Sequence, residues 1–285
     1  VGSLDTMFIK RVTMIKFKNL INKLNKLNIE NSIKFFKEKK LLINLIENNE
    51  FKKIQDNLNS YQVKKKIKKT FFPNLQQLYF IYNLITIFKR VTVLEFGVGW
   101  STLIISKALL ENKKKYFDKI KNLRFGDPFH LFTVDNYDKY LKQTKKKLDK
   151  EQNKITSFHF SNVKTVEYQK RICTEYVKLP KMNPDLIFID GPSQYNVKGK
   201  INNFNTEHPD LAPMSADVIK IEPFLKPGTF IIVDGRALNV LFLKNFLYRN
   251  WDYKYFKDYD LHLLFLNGPS LGKLNEKQIK FYKLK

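Results

Sequence analysis

The fold is decided by the stretch Val91-Thr-Val-Leu-Glu-Phe-Gly-Val-Gly-Trp-Ser-Thr102. A mostly apolar run carries one acid, Glu95, then breaks into glycines at Gly97 and Gly99 before a helical pattern begins. The stretch therefore predicts a strand, a tight turn and the start of a helix. Glycine lacks a β-carbon and tolerates positive φ, so a flat ligand can lie against the main chain of such a turn. Turns of this kind also occur in proteins that bind no ligand there, so a binding role for this turn needs support from other parts of the sequence.

Strands and helices alternate beyond this turn. The predicted strands cover residues 129–134, 155–160, 185–190 and 228–233, and the predicted helices cover residues 102–110, 137–149 and 215–224. Strands that are separated by helices predict an α/β fold with a Rossmann-like, doubly wound and mostly parallel sheet. A helix over 238–249 and short strands over 253–256 and 261–266 predict a closing antiparallel hairpin. A further hairpin is expected between residues 163 and 179.

The chain is expected to divide into three parts. Residues 1–70 predict a basic helical N-terminal extension, residues 71–268 the Rossmann-like domain, and residues 269–285 a C-terminal tail. Within the extension, apolar residues at three- and four-residue steps predict a helix that begins near Met14. A second helix is expected from Ser32 to Ile46, and a third over 51–69. These helices could bind a membrane surface or a partner, but packing against their own domain is the favoured interpretation.

The chain of 285 residues is strongly basic, with a formal net charge of +25. Clustered lysines would favour a polyanion such as RNA, because they release counterions from phosphates. However, lysine is overused together with asparagine, isoleucine and phenylalanine, which an AT-rich coding sequence explains equally well. Nucleic acid is therefore an alternative partner and not the favoured one. The single cysteine, Cys173, excludes an internal disulfide and a cysteine-cluster zinc site.

Membrane and secretion signals are not evident in the sequence. No window approaches about 18 consecutive apolar residues, and the N-terminal residues lack an uninterrupted apolar core of the signal-peptide type. The sequence therefore predicts no transmembrane segment and a cytoplasmic location. It gives no indication of the oligomeric state.

Acidic residues stand at the ends of several predicted strands. In a doubly wound sheet, ligands bind at the carboxyl ends of the strands. Asp135 follows the second parallel strand, where a carboxylate can accept hydrogen bonds from both hydroxyls of a ribose; its alternative role is to cap the next helix. Glu95 would be costly to bury unless it binds a ligand ammonium or nearby backbone donors.

The order of these motifs resembles the class I S-adenosylmethionine-dependent methyltransferases over residues 73–266. Glu95 to Ser101 is similar to the acid-x-Gly-x-Gly motif of that family, with Ser101 where a third glycine commonly stands. Asp135 matches the ribose-binding acid, residues 184–190 match the fourth strand, and residues 224–228 match the approach to the fifth. The resemblance implies S-adenosylmethionine as cofactor. The cofactor-binding residues that it implies are Glu95, Gly97, Gly99, Ser101 and Asp135.

The resemblance to metal-dependent O-methyltransferases is partial. In that group, acids after the fourth and fifth strands hold Mg²⁺, which lowers the pKa of a substrate hydroxyl. Asp190 and Asp234 match two of those positions, but Gly235 stands where the third ligand should be. Two alternatives follow: the two carboxylates hold Mg²⁺ together with waters, or Asp190 acts as a general base.

Three further residues are candidates for the acceptor side of the site. Arg236 could clamp an anionic substrate group, or pair with Asp190 or Asp234 instead. His208 lies in a long loop over residues 196–213 and could serve as a base, as a metal ligand or only as an exposed residue. Tyr195 could line the acceptor pocket.

The sequence thus favours methyl transfer to a small-molecule hydroxyl, with a sugar as one candidate acceptor. Two alternatives keep the same fold. One is an RNA methyltransferase, which the charge suggests, and the other is a non-catalytic binding module.

Overall fold

The central sheet positions every candidate site residue. The structure, a computed structural model, describes residues 17–47, 73–212 and 214–282. In these ranges the strands are β1 (Thr92–Phe96), β2 (His130–Asp135), β3 (Thr156–Phe160), β4 (Val163–Tyr168), β5 (Arg171–Tyr176), β6 (Leu186–Ile189), β7 (Val197–Lys198), β8 (Phe230–Asp234), β9 (Trp251–Phe256) and β10 (Leu261–Leu266). The α-helices are α1 (Phe17–Leu24), α2 (Ser32–Glu38), α3 (Ile43–Ile46), α4 (Leu75–Ile87), α5 (Trp100–Tyr116), α6 (Asp138–Lys147), α7 (Lys150–Lys154), α8 (Asp217–Ile221), α9 (Ala237–Phe246) and α10 (Gly272–Phe281).

Seven strands form the main sheet in the order β3-β2-β1-β6-β8-β10-β9. The first five run parallel to one another, and β10 pairs antiparallel with both β8 and β9. This confirms the predicted Rossmann-like, mostly parallel sheet with an antiparallel hairpin at its end. The strand order reverses direction between β1 and β6. Ligands bind at such a switch point, so the turns that follow β1 and β6 are the place to look for a site.

Both faces of the sheet are covered, which explains why its strands are almost continuously apolar. All five residues of β1 are buried. Val93 belongs to a hydrophobic cluster with α4 and α5, whereas Leu94 and Phe96 belong to a second cluster with α8 and α9. Alternate residues of one strand therefore face opposite layers, as the pleat of a strand requires.

The N-terminal helices pack against the domain, as the favoured interpretation expected. Phe17 stacks on Phe265 of β10 at 6.1 Å between ring centroids. Phe35 of α2 lies edge-on to two tyrosines of α4, Tyr79 and Tyr82, each at 5.0 Å. These contacts place α1 and α2 in the same hydrophobic cluster as one face of the sheet.

The second predicted N-terminal helix is shorter than expected. The prediction of one helix from Ser32 to Ile46 is wrong, because α2 ends at Glu38 and α3 begins only at Ile43. Between them, Lys40 and Leu42 have φ values of +52° and +54°. Residues in the left-handed conformation end a helix. The sequence has no glycine here that would have predicted the break. The third predicted helix, over residues 51–69, lies outside the described residues, as does the boundary at residue 70.

A second, three-stranded sheet covers part of one face. The predicted hairpin is present as β4 and β5, and β7 adds to β4 in parallel, with Val163 opposite Val197. The sequence predicts the β7 residues as part of a loop over residues 196–213. Two residues are too few to give a strand pattern, and their partner lies more than 30 positions away.

The segment after residue 268, predicted as a tail, contains the helix α10. Tyr282, which follows it, lies over the guanidinium of Arg90 at 3.8 Å. Arg90 is fully buried and donates to the carbonyls of Phe88, Asp185 and Gly228. This cluster lies at the amino ends of β6 and β8, opposite the candidate site. No helix in the described ranges has both the length and the apolar character to cross a membrane.

Candidate active site

The two glycines after β1 have different roles. Gly97 has φ +92°, and a β-carbon on it would lie 2.8 Å from the backbone nitrogen of Gly191. Its lack of a side chain is therefore required by the neighbouring turn after β6. A β-carbon on Gly99 would meet nothing within 4 Å. Only Gly99 has the open space that the sequence analysis expected beside both glycines.

Asp135 is bound directly to the glycine turn. Its Oδ2 accepts a hydrogen bond from the amide of Val98 at 2.9 Å, and its Oδ1 accepts one from the amide of Tyr137 at 2.7 Å. Each oxygen retains acceptor capacity. The side chain is 6% exposed, and burial raises its pKa to about 6 while the amide donors oppose the rise. The carboxylate thus lies beside the residue that precedes Gly99. Its bond to the Tyr137 amide does not cap the next helix, because Tyr137 is itself the N-cap residue of α6 and that helix has no side-chain cap.

Glu95 is buried beneath the same turn. Its Oε2 accepts from the Thr102 hydroxyl at 2.7 Å, and that hydroxyl accepts from the amide of Gly99 at 3.0 Å. Oε1 has no hydrogen-bond partner among the described residues that meets the distance and angle limits of a normal bond. Burial raises the pKa of Glu95 to about 7, while hydroxyl groups nearby, that of Ser101 first, lower it. Thr102 is a residue of this turn that was not predicted from the sequence, although its position three residues after a glycine N-cap is a capping signal.

Asp190 and Asp234 form an acid pair at the ends of adjacent strands. Asp190 follows β6 and Asp234 ends β8. The side chain of Asp190 is 47% exposed, so water reaches it. Burial, and then the charge of Asp190, raises the pKa of Asp234 to about 8. The Asp234 carboxylate also accepts a hydrogen bond of 2.5 Å from Nε2 of Gln77 in α4.

Arg236 holds the turn after β6. Its guanidinium donates to the carbonyls of Asp190 and Pro192, and one nitrogen lies 3.7 Å from Oδ1 of Asp190. These contacts correspond to the salt-bridge alternative. The structure therefore brings Asp190, Asp234 and Arg236 together, as expected from the sequence.

The acid pair does not fit the expected Mg²⁺ site. Gly235, at the position of the third ligand, offers no side chain, and no cluster of three or more His, Cys, Asp or Glu residues that could hold a metal is found in the part of the chain that the structure describes. The Gln77 amide and the Arg236 guanidinium, both hydrogen-bond donors, lie against the two carboxylates. Mg²⁺ requires oxygen ligands, and a neighbouring cation repels it. The pair is therefore better suited to accept protons and hydrogen bonds than to bind Mg²⁺.

His208 and Tyr195 lie in the exposed loop after β6. The side chain of His208 is 58% exposed, and its Nδ1 accepts from the amide of Asp210 at 3.2 Å. Gln194 ties the two parts of the loop, because its amide donates to the His208 carbonyl at 3.1 Å. The described contacts of His208 do not include the acid pair. Tyr195 is also exposed.

A reciprocal pair of asparagines joins two loops beside the site. Nδ2 of Asn136 donates to the Asn196 carbonyl at 2.7 Å, and Nδ2 of Asn196 donates to the Asn136 carbonyl at 2.6 Å. Asn136 directly follows Asp135, so the loop after β6 is fixed to the end of β2. This pair could not be predicted from the sequence, because no local pattern marks two residues that lie 60 positions apart.

Comparisons with known proteins yield distant structural likenesses. No protein-family profile matches the chain, and no curated protein sequence matches it. The O-methyltransferase TomG from Streptomyces achromogenes, in complex with S-adenosylmethionine, is 12% identical over 76% of this chain and 96% of its own, with a TM-score of 0.40. PaMTH1, a methyltransferase of Podospora anserina with S-adenosylhomocysteine bound, is 11% identical over 93% and 99%, with a TM-score of 0.41. The O-methyltransferase from Bacillus cereus, also in complex with S-adenosylhomocysteine, is 14% identical over 74% and 96%, with a TM-score of 0.37. TM-scores this low do not support an assignment by themselves. The fold is assigned from the order and direction of the strands.

Proposed function

We propose that this protein is a class I S-adenosylmethionine-dependent methyltransferase that methylates the hydroxyl of a small molecule, with a sugar as one candidate acceptor. The observation that carries the proposal is the bond between the Asp135 carboxylate and the Val98 amide, beside the open face of Gly99. It puts an acceptor for two ribose hydroxyls next to a turn that a ligand can approach at the switch point of the sheet.

The neighbouring acid suits the charged end of the same ligand. Oε1 of Glu95 is buried without a hydrogen bond of normal geometry among the described residues, although the hydroxyls of Ser101 and Thr133 lie nearby, while its other oxygen is held by Thr102. An unpaired buried carboxylate oxygen is costly, and a ligand ammonium would satisfy it. In this proposal Asp135 binds the ribose, Gly97, Gly99 and Ser101 shape the turn, and Glu95 serves the amino group.

The reaction proposed is an in-line displacement. S-adenosylmethionine supplies, when bound, a methyl group on a sulfonium. The acceptor oxygen forms the C–O bond as the C–S bond breaks, the electron pair of that bond stays on sulfur, and the hydroxyl proton passes to Asp190. Arg236 and Asp234 hold Asp190 in position. Alignment of the reacting atoms is worth about 7–11 kcal/mol in well-oriented systems, so catalysis here would come mainly from positioning.

The test separates binding from turnover. Asp190→Ala is expected to abolish formation of S-adenosylhomocysteine in an acceptor screen, while the affinity for S-adenosylmethionine, measured by calorimetry, is retained. Loss of affinity instead would reassign Asp190 to the cofactor site. His208→Ala in the same assays tests whether the loop histidine contributes as a base. Absence of binding to the wild-type protein at millimolar S-adenosylmethionine would overturn the proposal and favour the binding-module alternative.

RNA is the second candidate acceptor, because the chain carries a net charge of +25. Three of the five lysines of α6 fall in its last turn, at Lys145, Lys146 and Lys147. An RNA acceptor predicts binding that weakens steeply with salt, with a linear dependence of log K on log salt concentration. A flat response at physiological ionic strength would remove this candidate.

A further inference from the structure

Tyr176 lies beneath the two turns that form the site. It ends β5 of the small sheet, and its ring stacks on that of Phe96, the last residue of β1, at 5.5 Å between centroids. Its backbone amide donates to Asp217 at 3.0 Å. The residue is 4% exposed. Its ring is therefore fixed by packing against the strand from which the glycine turn begins.

The hydroxyl of Tyr176 reaches the seam between the two turns. It lies 2.9 Å from the point where a β-carbon of Gly191 would stand, and that point is 2.7 Å from the backbone nitrogen of Gly97. Because β1 lies between β2 and β6 in the sheet, the seam between Gly97 and Gly191 lies between Asp135 at the end of β2 and Asp190 after β6, on the path that the proposed function gives to the ligand.

This hydroxyl has no hydrogen-bond partner in the described part of the chain. A buried hydroxyl without a partner destabilises a protein, and phenylalanine would give the same ring packing on Phe96 without that cost. Burial raises the pKa of the Tyr176 phenol well above its ordinary value, so the group remains a protonated donor. An unpaired hydrogen-bond donor beside the seam indicates that its acceptor is an atom of the bound ligand.

We propose that the Tyr176 hydroxyl is a further contact of the methyl donor, donating a hydrogen bond to an oxygen of S-adenosylmethionine at the seam between Gly97 and Gly191. The inference rests on the proposed function and adds a residue from the small sheet to its site. The two turns cover the hydroxyl, so this contact requires them to separate at the seam when the ligand binds.

The experiment compares Tyr176→Phe with Thr174→Val. Phenylalanine retains the ring that stacks on Phe96. Thr174 lies two residues earlier on β5, is buried, and also has a hydroxyl without a partner among the described residues, so its valine variant is a matched control for removal of a buried hydroxyl. Calorimetry with S-adenosylmethionine and S-adenosylhomocysteine gives the affinities, and thermal unfolding without ligand gives the stabilities.

We expect Tyr176→Phe to raise the Kd for S-adenosylmethionine about tenfold, as loss of one hydrogen bond does, while its melting temperature without ligand is equal to or above that of the wild type. Thr174→Val should bind like the wild type. Unchanged affinity in Tyr176→Phe overturns the inference and leaves the proposed function standing. An equal loss of affinity in both variants also overturns it, since that would reflect general loosening of β5. A wild-type protein that does not bind overturns both the inference and the proposed function.

Discussion

Gln77 and Asp234 are joined by a hydrogen bond of 2.5 Å although 157 positions separate them in the sequence. The bond connects α4, the helix on which Phe35 of the N-terminal region packs, to the acid pair at the ends of β6 and β8. An amide that donates to a carboxylate stabilises the ionised form. Gln77 therefore opposes the effect of burial on the pKa of Asp234.

Gln77→Leu should raise the pKa of Asp234 further above its value of about 8, because the donor to the ionised form is lost. If Asp234 must be ionised for Asp190 to accept the proton of the acceptor hydroxyl, the limb of the pH–rate profile that rises with pH should move to higher pH, and kcat at pH 7 should fall. The affinity for S-adenosylmethionine should not change. Gln76→Leu is the matched control, since Gln76 is the exposed neighbour on the same helix. Superimposable profiles for the two variants would contradict the role given to Gln77.

The two glycines of the first turn should respond differently to alanine. Gly97→Ala places a β-carbon 2.8 Å from the Gly191 nitrogen at a positive φ, so we expect a loss of stability of about 2–4 kcal/mol. Gly99→Ala meets no atom within 4 Å and should unfold like the wild type in urea, yet its methyl group stands where the ligand would lie. Calorimetry should therefore show weakened binding for a stable Gly99→Ala protein. Normal binding by that variant would argue against the ligand position.

Binding of S-adenosylmethionine should weaken as the pH falls through about 6, the pKa to which burial raises Asp135. Above this pH the carboxylate is ionised and accepts from both ribose hydroxyls; below it, the protonated group loses acceptor capacity. Asp135→Asn should bind about tenfold more weakly at pH 8 and should lack this pH dependence. Calorimetry between pH 5 and 8 on the wild type and Asp135→Asn measures the affinity for S-adenosylmethionine at each pH. A pH dependence that persists in Asp135→Asn would assign the effect to another group, with Glu95 the first to examine.

Arg90→Ala should be among the most destabilising substitutions in the chain. Removal of the guanidinium leaves the Asp185 carboxylate without its buried cation and frees the Tyr282 ring from its contact at 3.8 Å. Loss of one partner from a buried ionic cluster costs about 3–5 kcal/mol. Arg124→Ala, at an exposed position, should change the free energy of unfolding by less than about 0.5 kcal/mol. Urea unfolding of both variants measures the difference in their free energies of unfolding. Equal midpoints would show that the contacts of Arg90 with Asp185 and Tyr282 contribute little to stability.

The sheet could be predicted from the sequence because its information is local. A parallel strand buried on both faces has to be a short apolar run, as the β6 residues Leu186-Ile-Phe-Ile189 are. The acids at strand ends could be read in the same way, since Asp135, Asp190 and Asp234 each follow or close such a run. Their meeting at one edge follows from the parallel arrangement alone.

Most of the features that could not be predicted from the sequence depend on contacts between residues that are distant in the chain. Gln77 is an ordinary polar position on the partly exposed side of a helix, and its partner appears only when α4 is laid beside β8. Tyr176 carries a normal strand pattern, and the position of its hydroxyl depends on how the small sheet packs on Phe96. The break after Glu38 occurs at Lys40 and Leu42, residue types that carry no turn signal.

The reciprocal bond between Asn136 and Asn196 has a chemical weakness. Each side chain donates through its amide nitrogen to the other residue's carbonyl. Deamidation would replace that nitrogen with a negatively charged oxygen facing the same carbonyl, so attraction would become repulsion. One such event at either residue would weaken the attachment of the loop after β6 to the end of β2, whereas the pairing of β7 with β4 would hold the rest of that loop. Slow deamidation of the purified protein should therefore lower its activity before it unfolds the protein.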